Sequence, residues 1–258
     1  MEIERVFRPQ RVTRGNTNVL KIQPIDDAAW LWVKGDNGLT EKGDETPHSG
    51  RVNSSEVKFA KFKIEFDSSE IDGELVFDVS ADERFYLTLD GSFVARGPNR
   101  AAVENWQYQT YRVKNLTPGR HVIEAVVSKI GDHAPLAQLS YRGGFVLKAE
   151  GAYDAKLTTG RAKWMVGWLD GFRPMGFANK VWGTGSQFEI TGRGPYAAEP
   201  KKWSEAAIVR KPVKWKGPDM WGLRMGGWML FPTQLPDQTE LRKPVGTVKA
   251  VSRSAKWR

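Results

Sequence analysis

From Val57 onward apolar side chains recur at every second position: Leu75, Phe77 and Val79 point one way, and Phe85, Leu87 and Leu89 repeat the pattern. A period of two is what a strand with one buried face requires. Asp90-Gly91 stands between Phe85-Tyr86-Leu87-Thr88-Leu89 and Phe93-Val94-Ala95, which predicts a tight hairpin with positive φ at its centre. Leu116-Thr117-Pro118-Gly119 has Pro and Gly in the second and third positions of a type II turn and leads into His121 to Ser128. That run is apolar at Val122, Ile123, Ala125, Val126 and Val127, so both faces are covered and a central strand is expected. Ala134 to Ala149 reads as two further strands that bend at Gly143-Gly144.

The flanks have a different texture. Residues 1–50 offer one apolar run, Ala28 to Val33, followed by a Gly/Asp/Asn/Glu-rich stretch from Lys34 to Gly50, and predict one strand and a long loop packing on the sandwich. Residues 51–160 are expected to form the sandwich core. Eight of the eleven tryptophans (Trp164, Trp168, Trp182, Trp203, Trp215, Trp221, Trp228 and Trp257) fall after residue 160 among Gly, Pro and basic residues. Residues 161–232 are therefore expected to be a partly irregular, Trp-rich extension packed on the sandwich, with one short helix over Trp203 to Val209. Residues 233–258 are expected to be a linker or the start of a further domain.

Composition sharpens this outline. A chain of 258 residues that is 40% hydrophobic can bury a sizeable core. It contains no cysteine, which excludes a disulfide framework, a thiolate metal site and a Cys nucleophile. No stretch approaches the roughly 18 apolar residues of a membrane span, and the start, Met1-Glu2-Ile3-Glu4-Arg5, has no signal-peptide h-region. The net charge of +9 suits a polyanionic partner. The densest basic cluster, Arg210-Lys211-Pro212-Val213-Lys214-Trp215-Lys216, reads as a solvated surface segment, and no RRM, KH or zinc-knuckle signature accompanies it. No nucleic-acid or membrane partner is expected.

Three stretches in order carry a resemblance: Ala81-Asp82-Glu83-Arg84-Phe85-Tyr86-Leu87-Thr88-Leu89-Asp90-Gly91, then Val94-Ala95-Arg96-Gly97-Pro98, then Tyr108-Gln109-Thr110-Tyr111 leading to Leu116-Thr117-Pro118-Gly119-Arg120-His121-Val122-Ile123. Together they resemble the N-terminal β-sandwich of bacterial α-L-rhamnosidases and related glycoside hydrolases. Gln138 to Phe145 is similar to the stretch that closes that domain, and Trp228-Met229-Leu230-Phe231-Pro232 to the crossing toward the next one. Asp90 stands where the family commonly has Asn, and either residue fits the turn. The resemblance implies an all-β fold, a jelly-roll or galactose-binding-like sandwich, and a secreted or periplasmic parent. It places the catalytic carboxylates on an (α/α)6 barrel far downstream, so it assigns no catalytic residue here. The partner it implies is a rhamnose-containing or acidic polysaccharide.

Sugar recognition needs aromatic faces together with side chains that fix hydroxyl groups. The loop Arg96 to Trp106 supplies this mixture, with Arg96, Asn99, Arg100 and Trp106 as candidate carbohydrate-binding residues. Its structural alternative has Trp106 packing over the sandwich edge while Arg96 and Arg100 pair with acids such as Glu104. Trp168, Asp170, Arg173 and Trp182 form a second candidate group. Glycoside hydrolysis uses two carboxyl groups about 5 to 9.5 Å apart, and the sequence singles out no such pair, Asp170 and Glu189 included.

His48, His121 and His133 lack metal-ligand spacing, and structural roles are expected. Gly183-Thr184-Gly185-Ser186 and Gly192-Arg193-Gly194-Pro195 lack the pattern of a phosphate loop. No cofactor or metal is expected, although Asp36-Asn37-Gly38 and Asp90-Gly91-Ser92 contain oxygen ligands of the kind Ca²⁺ takes. Three readings stand at this level: a non-catalytic accessory module of a rhamnosidase-like enzyme, a small glycan-active enzyme with carboxylates in the Trp-rich half, and a polyanion-binding structural module.

Overall fold

A computed structural model describes residues 1–10, 23–36, 57–101, 105–130, 143–174, 188–191, 198–212, 230–237 and 246–247. In chain order the strands are β1 (Glu2–Val6), β2 (Trp30–Trp32), β3 (Lys58–Asp67), β4 (Leu75–Asp82), β5 (Arg84–Leu89), β6 (Ser92–Gly97), β7 (Trp106–Lys114) and β8 (Arg120–Lys129). They continue with β9 (Gly144–Ala149), β10 (Met165–Leu169), β11 (Phe172–Pro174), β12 (Phe188–Ile190), β13 (Ser204–Glu205), β14 (Ala207–Arg210) and β15 (Leu230–Pro232). One four-residue helix, α1 (Asp154–Leu157), follows β9.

Two main sheets face each other. The first has the order β1-β7-β4-β9-β2-β14, with β15 added to β7 in parallel, and the second the order β13-β10-β3-β8-β5-β6. Apart from the β15 contact the pairings are antiparallel. The expected all-β sandwich is what forms.

The hairpin is where Asp90-Gly91 puts it. Leu89 pairs with Ser92, and Asp90 and Gly91 take φ of 51° and 73°, the positive values that let a two-residue loop follow the strand twist. β8 is central, bonded to β3 along ten residue pairs and to β5 on its other side. The double-faced apolar run of its sequence follows from that position. His121, the second residue of the strand, is held in place: Nδ1 lies 2.7 Å from Asp90 Oδ2 and Nε2 lies 2.7 Å from the Thr117 carbonyl.

The core lies between the sheets. Leu75, Phe77, Val79, Val113 and Leu147 of the first meet Phe62, Leu87, Ile123, Ala125 and Val127 of the second, all essentially inaccessible to water. Each such Val, Leu, Ile or Phe contributes about 1.5–3 kcal/mol through burial. Both flanks supply strands to these sheets, β1 and β2 from one side and β10, β13, β14 and β15 from the other.

Two expectations are corrected. Trp203 to Val209 is not helical: Ser204–Glu205 pairs with β10 and Ala207–Arg210 with β2. A seven-residue segment has weak helical preference of its own, and two open strand edges outweigh it. The opening Glu2–Val6, which lacks a strong apolar pattern, is a strand bonded to β7 through five residue pairs. The second strand expected between Ala134 and Gly143 lies outside the described residues.

The outer faces of the two sheets are treated differently. On the first sheet Trp30, Trp106, Tyr108 and Val146 are roofed by Ile25 and Ala28 and by Leu230. Trp106 is fully buried and its indole N–H donates to the Ala81 carbonyl at 3.1 Å. On the second sheet Phe59, Val126 and Leu169 form a small apolar patch partly covered by Phe172 and Ala198, and a groove remains. No helix among the described residues is long and apolar enough to cross a membrane.

Candidate functional site

The groove has a cavity volume of about 530 Å³, within the usual size for a small-molecule site. Its lining includes every residue from Phe93 to Asn99. Successive strand residues face opposite ways, so the groove follows β6, the edge strand of the second sheet, around its free side. β5 and β8 form the floor, the β11/β12 hairpin contributes Phe172 and Ile190, and Pro236 and Asp237 close one end.

Strand register aligns the floor. Tyr86 pairs with Arg96 and Arg84 lies two residues before Tyr86, so these three side chains share the outer face. The Tyr86 and Phe93 rings meet at 5.2 Å between centroids, and Phe59 and Phe172 at 4.4 Å. Tyr86, Phe93 and Phe172 are each half-buried, so ring surface is within reach of a ligand. Arg84 and Arg96 are exposed, and Arg84 Nη1 reaches the Pro98 carbonyl at 3.4 Å.

The closed end is polar and tightly tied. Asp237 accepts from the Tyr111 hydroxyl at 2.8 Å and from Gln109 Nε2 at 3.1 Å, and Arg5 Nε lies 3.4 Å away. Arg5 also donates to the Thr110 carbonyl at 2.7 Å and sits over the Tyr111 ring. Burial raises the Tyr111 phenol above its ordinary range and the adjacent Asp237 carboxylate raises it further; it stays a hydrogen-bond donor at neutral pH. A Cβ at Gly97 would lie 1.9 Å from Gln109 Oε1, so a larger residue there has to displace the Gln109 side chain. Asn99 Nδ2 donates to Thr233 Oγ1 at 2.8 Å, which fixes the loop beyond β6 to the segment after β15.

The structure divides the first candidate group. Arg96 and Asn99 line the groove, whereas Arg100 is exposed outside that lining. Trp106 is corrected from a sugar-facing residue to a core residue, since a ring with no exposed surface offers no face to a ligand. The second group is also dispersed. Trp168 shares a face with Ala60 and meets Trp32 edge-on at 5.7 Å, with Lys58 Nζ 5.2 Å from its ring centre. Asp170 is exposed and paired with Lys201 at 2.8 Å. Arg173 pairs with Glu189 through the backbone of the β11/β12 hairpin, and Trp182 lies outside the described residues. Phe172, between Asp170 and Arg173, is what reaches the groove.

Arg84, Tyr86, Phe93 and Phe172 were not singled out by sequence reasoning. A signal existed for two of them: the alternation that buries Phe85 and Leu87 turns Tyr86 and Arg84 outward, and an aromatic ring beside a guanidinium on an outward position is unusual for a merely solvated face. Gln109 and Asp237 carried no comparable signal, because Gln109 meets the Arg96 carbonyl, and Asp237 meets Gln109, only through the fold.

The carboxylates considered for calcium already hold donors. Asp36 lies 3.2 Å from both Lys58 Nζ and Lys129 Nζ; burial pushes its pKa up, but the two ammonium groups outweigh burial and hold it below the ordinary value. Asp90 accepts from the Val122 N–H at 2.9 Å besides its contact with His121. Among the described residues no group of three His, Asp or Glu is placed to hold a metal ion.

No protein-family model matches the chain, and no curated protein matches it. Among solved structures, the chain is similar to a GH78 family rhamnosidase of Bacillus sp. GL1, with a TM-score of 0.53 and 22% identity, over 82% of this chain and 20% of that one. An α-L-rhamnosidase from Dictyoglumus thermophilum matches at a TM-score of 0.43 and 14% identity over 84% of this chain and 23% of that one. The Pleurotus ostreatus lectin matches at 0.36 and 15% over 80% and 46% respectively. The last two scores are too low to carry an argument. The first likeness is one of fold: this chain has the β-sandwich of a segment about a fifth as long as that rhamnosidase chain.

Proposed function

We propose that the chain is a non-catalytic β-sandwich module that binds a rhamnose-containing polysaccharide in the β6 groove, as the accessory part of an α-L-rhamnosidase-like glycoside hydrolase whose barrel lies downstream. The observation that carries this reading is the groove itself, where half-buried Tyr86, Phe93 and Phe172 stand beside Arg84, Arg96 and Asn99. Ring faces stack on the C–H faces of sugars, and the polar side chains fix hydroxyl groups.

The non-catalytic part rests on charge placement. Hydrolysis by the usual route needs two carboxyl groups about 5 to 9.5 Å apart. Among the described lining residues Asp237 is the one carboxylate, and both its oxygens are engaged by Tyr111, Gln109 and Arg5. The sandwich likeness to a segment of a rhamnosidase supports the accessory role.

Calorimetric titration of the purified chain with rhamnose oligosaccharides tests the binding, with Tyr86→Ala as the groove variant. Saturable binding that Tyr86→Ala weakens is the expected result. Turnover of an aryl α-L-rhamnoside that disappears on a single carboxylate substitution overturns the non-catalytic reading.

A further inference from the structure

We infer that the groove selects a 6-deoxyhexose by its methyl group, which seats against Val126, Phe172 and Ile190; this rests on the carbohydrate reading above and deepens it into a statement of specificity. The register puts Tyr86 opposite Val126 on β8 and opposite Arg96 on β6. Paired residues point to the same face, and neighbouring strands lie roughly 4.8 Å apart. A pyranose stacked on Tyr86 therefore has β8 along one edge and β6 along the other.

Those two edges differ in chemistry. On the β8 side Val126 belongs to an apolar cluster with Phe59 and Leu169, and Phe172 packs against it. The Phe172 ring lies 4.4 Å from that of Phe59. Ile190 is paired with Phe172 across the β11/β12 hairpin, so the two side chains share a face. Ile190 lines the groove and is 52% exposed, an aliphatic side chain left in water on a wall built of hydrocarbon. The Ser128 hydroxyl on the same strand stands two residues beyond Val126, roughly 7 Å away. On the β6 side the lining is polar, with Asn99, Gln109 and Asp237. A 6-deoxyhexose carries its methyl group across the ring from two of its hydroxyl groups. Hydroxyls directed at the β6 edge therefore turn the methyl toward the β8 wall. A methyl group there leaves water for apolar surface, which is favourable, whereas a CH2OH group gives up its hydration for hydrocarbon.

The test is calorimetry of the full chain with a rhamnose oligosaccharide and with its L-mannose counterpart of the same length and linkage, in which each CH3 is replaced by CH2OH. The rhamnose form is expected to bind about tenfold more tightly, the effect of one hydroxyl buried without a partner. Ile190→Ser, at an exposed position, should narrow that gap by weakening the rhamnose form while leaving the mannose form unchanged. Val126→Thr, which keeps the shape of the side chain and adds a hydroxyl, should narrow it from the other side by strengthening the mannose form. Tyr86→Ala should weaken both forms alike. Equal affinity for the two forms in the unmodified protein, with Tyr86→Ala still weakening both, overturns the inference and leaves the carbohydrate reading standing. A gap that Ile190→Ser and Val126→Thr both leave intact also overturns it, because the methyl group is then recognised elsewhere. Binding of neither form overturns the carbohydrate reading, and this inference with it. Ile190→Ser decides the placement even if Val126→Thr fails to fold.

Discussion

The outer faces of the two sheets began from similar chemistry and ended with opposite uses. Each carries aromatic residues at outward positions, Trp106 and Tyr108 on the first and Tyr86 and Phe93 on the second. On the first, residues 23–28 and β15 lie across the face and convert it to core. On the second, β11/β12 covers only part of the face, so the rings along β6 keep accessible surface. Whether an aromatic strand residue serves packing or binding is thus decided by what crosses over it. The residue's own strand does not settle the matter.

The strongest way to break this contrast is a matched pair of truncations. Trp106→Ala should lower unfolding free energy by about 3–5 kcal/mol in denaturant titration, from lost packing and a cavity, and it leaves the buried Ala81 carbonyl without its indole donor. Tyr86→Ala should cost far less. Equal losses would mean that the second face is core as well.

The covered face also hides a carboxylate, which gives the next largest effect. Asp78 on β4 is fully buried, accepts from Thr110 at 2.7 Å and from Arg8 at 3.0 Å, and burial raises its pKa to about 6 from 3.8 against the pull of Arg8 and Thr110. A raised folded-state value means that the native form holds the proton more tightly than the unfolded chain. Its contribution to stability is therefore complete below pH 3.8 and is lost as pH rises through about 6, a change of order 3 kcal/mol. Asp78→Asn, which cannot ionise, should remove this component, so the stability of the variant relative to the wild type should rise across that window. A constant difference between the two proteins at every pH would show that Asp78 binds its proton equally well in the folded and unfolded chain.

On the open face the effects belong to binding. Tyr86→Ala should weaken glycan affinity about tenfold, the size expected for one stacking ring, with little movement of the unfolding midpoint. Smaller still is Lys201→Ala: the Asp170–Lys201 pair is exposed on both sides, and such pairs contribute little, so no measurable shift in midpoint is expected. Adding Ca²⁺ should change neither midpoint nor affinity, because Asp36 and Asp90 already hold their donors.

What could be read in the sequence follows the same division. Local rules sufficed for the β5/β6 hairpin, whose Asp90-Gly91 loop needs only its own dihedral preferences, and for the double-faced β8. They failed for Trp106 because the residues that roof it, Ile25, Ala28 and Leu230, are far from it in sequence. They failed for Trp203 to Val209 because its strands exist only against β10 and β2. Less of the candidate site was legible: Arg96 and Asn99 were named from their loop, while Phe172 and Asp237 arrive from distant segments.

The contacts of Arg5 bear on the order in which the molecule can be built. It reaches the Thr233 carbonyl, 228 residues away, while Gln234 donates to the Arg8 carbonyl and Gln10 to that of Pro232. The first ten residues thus leave the ribosome long before the segment they will touch. Closing contacts of such separation is slow compared with closing local ones, so the Asp90-Gly91 hairpin can form early, and the clasp at one end of the groove belongs among the last steps of folding. A nascent chain arrested before residue 230 has no β15 to lay on β7, and protease sensitivity of the Trp106 face in such arrested chains would record that order.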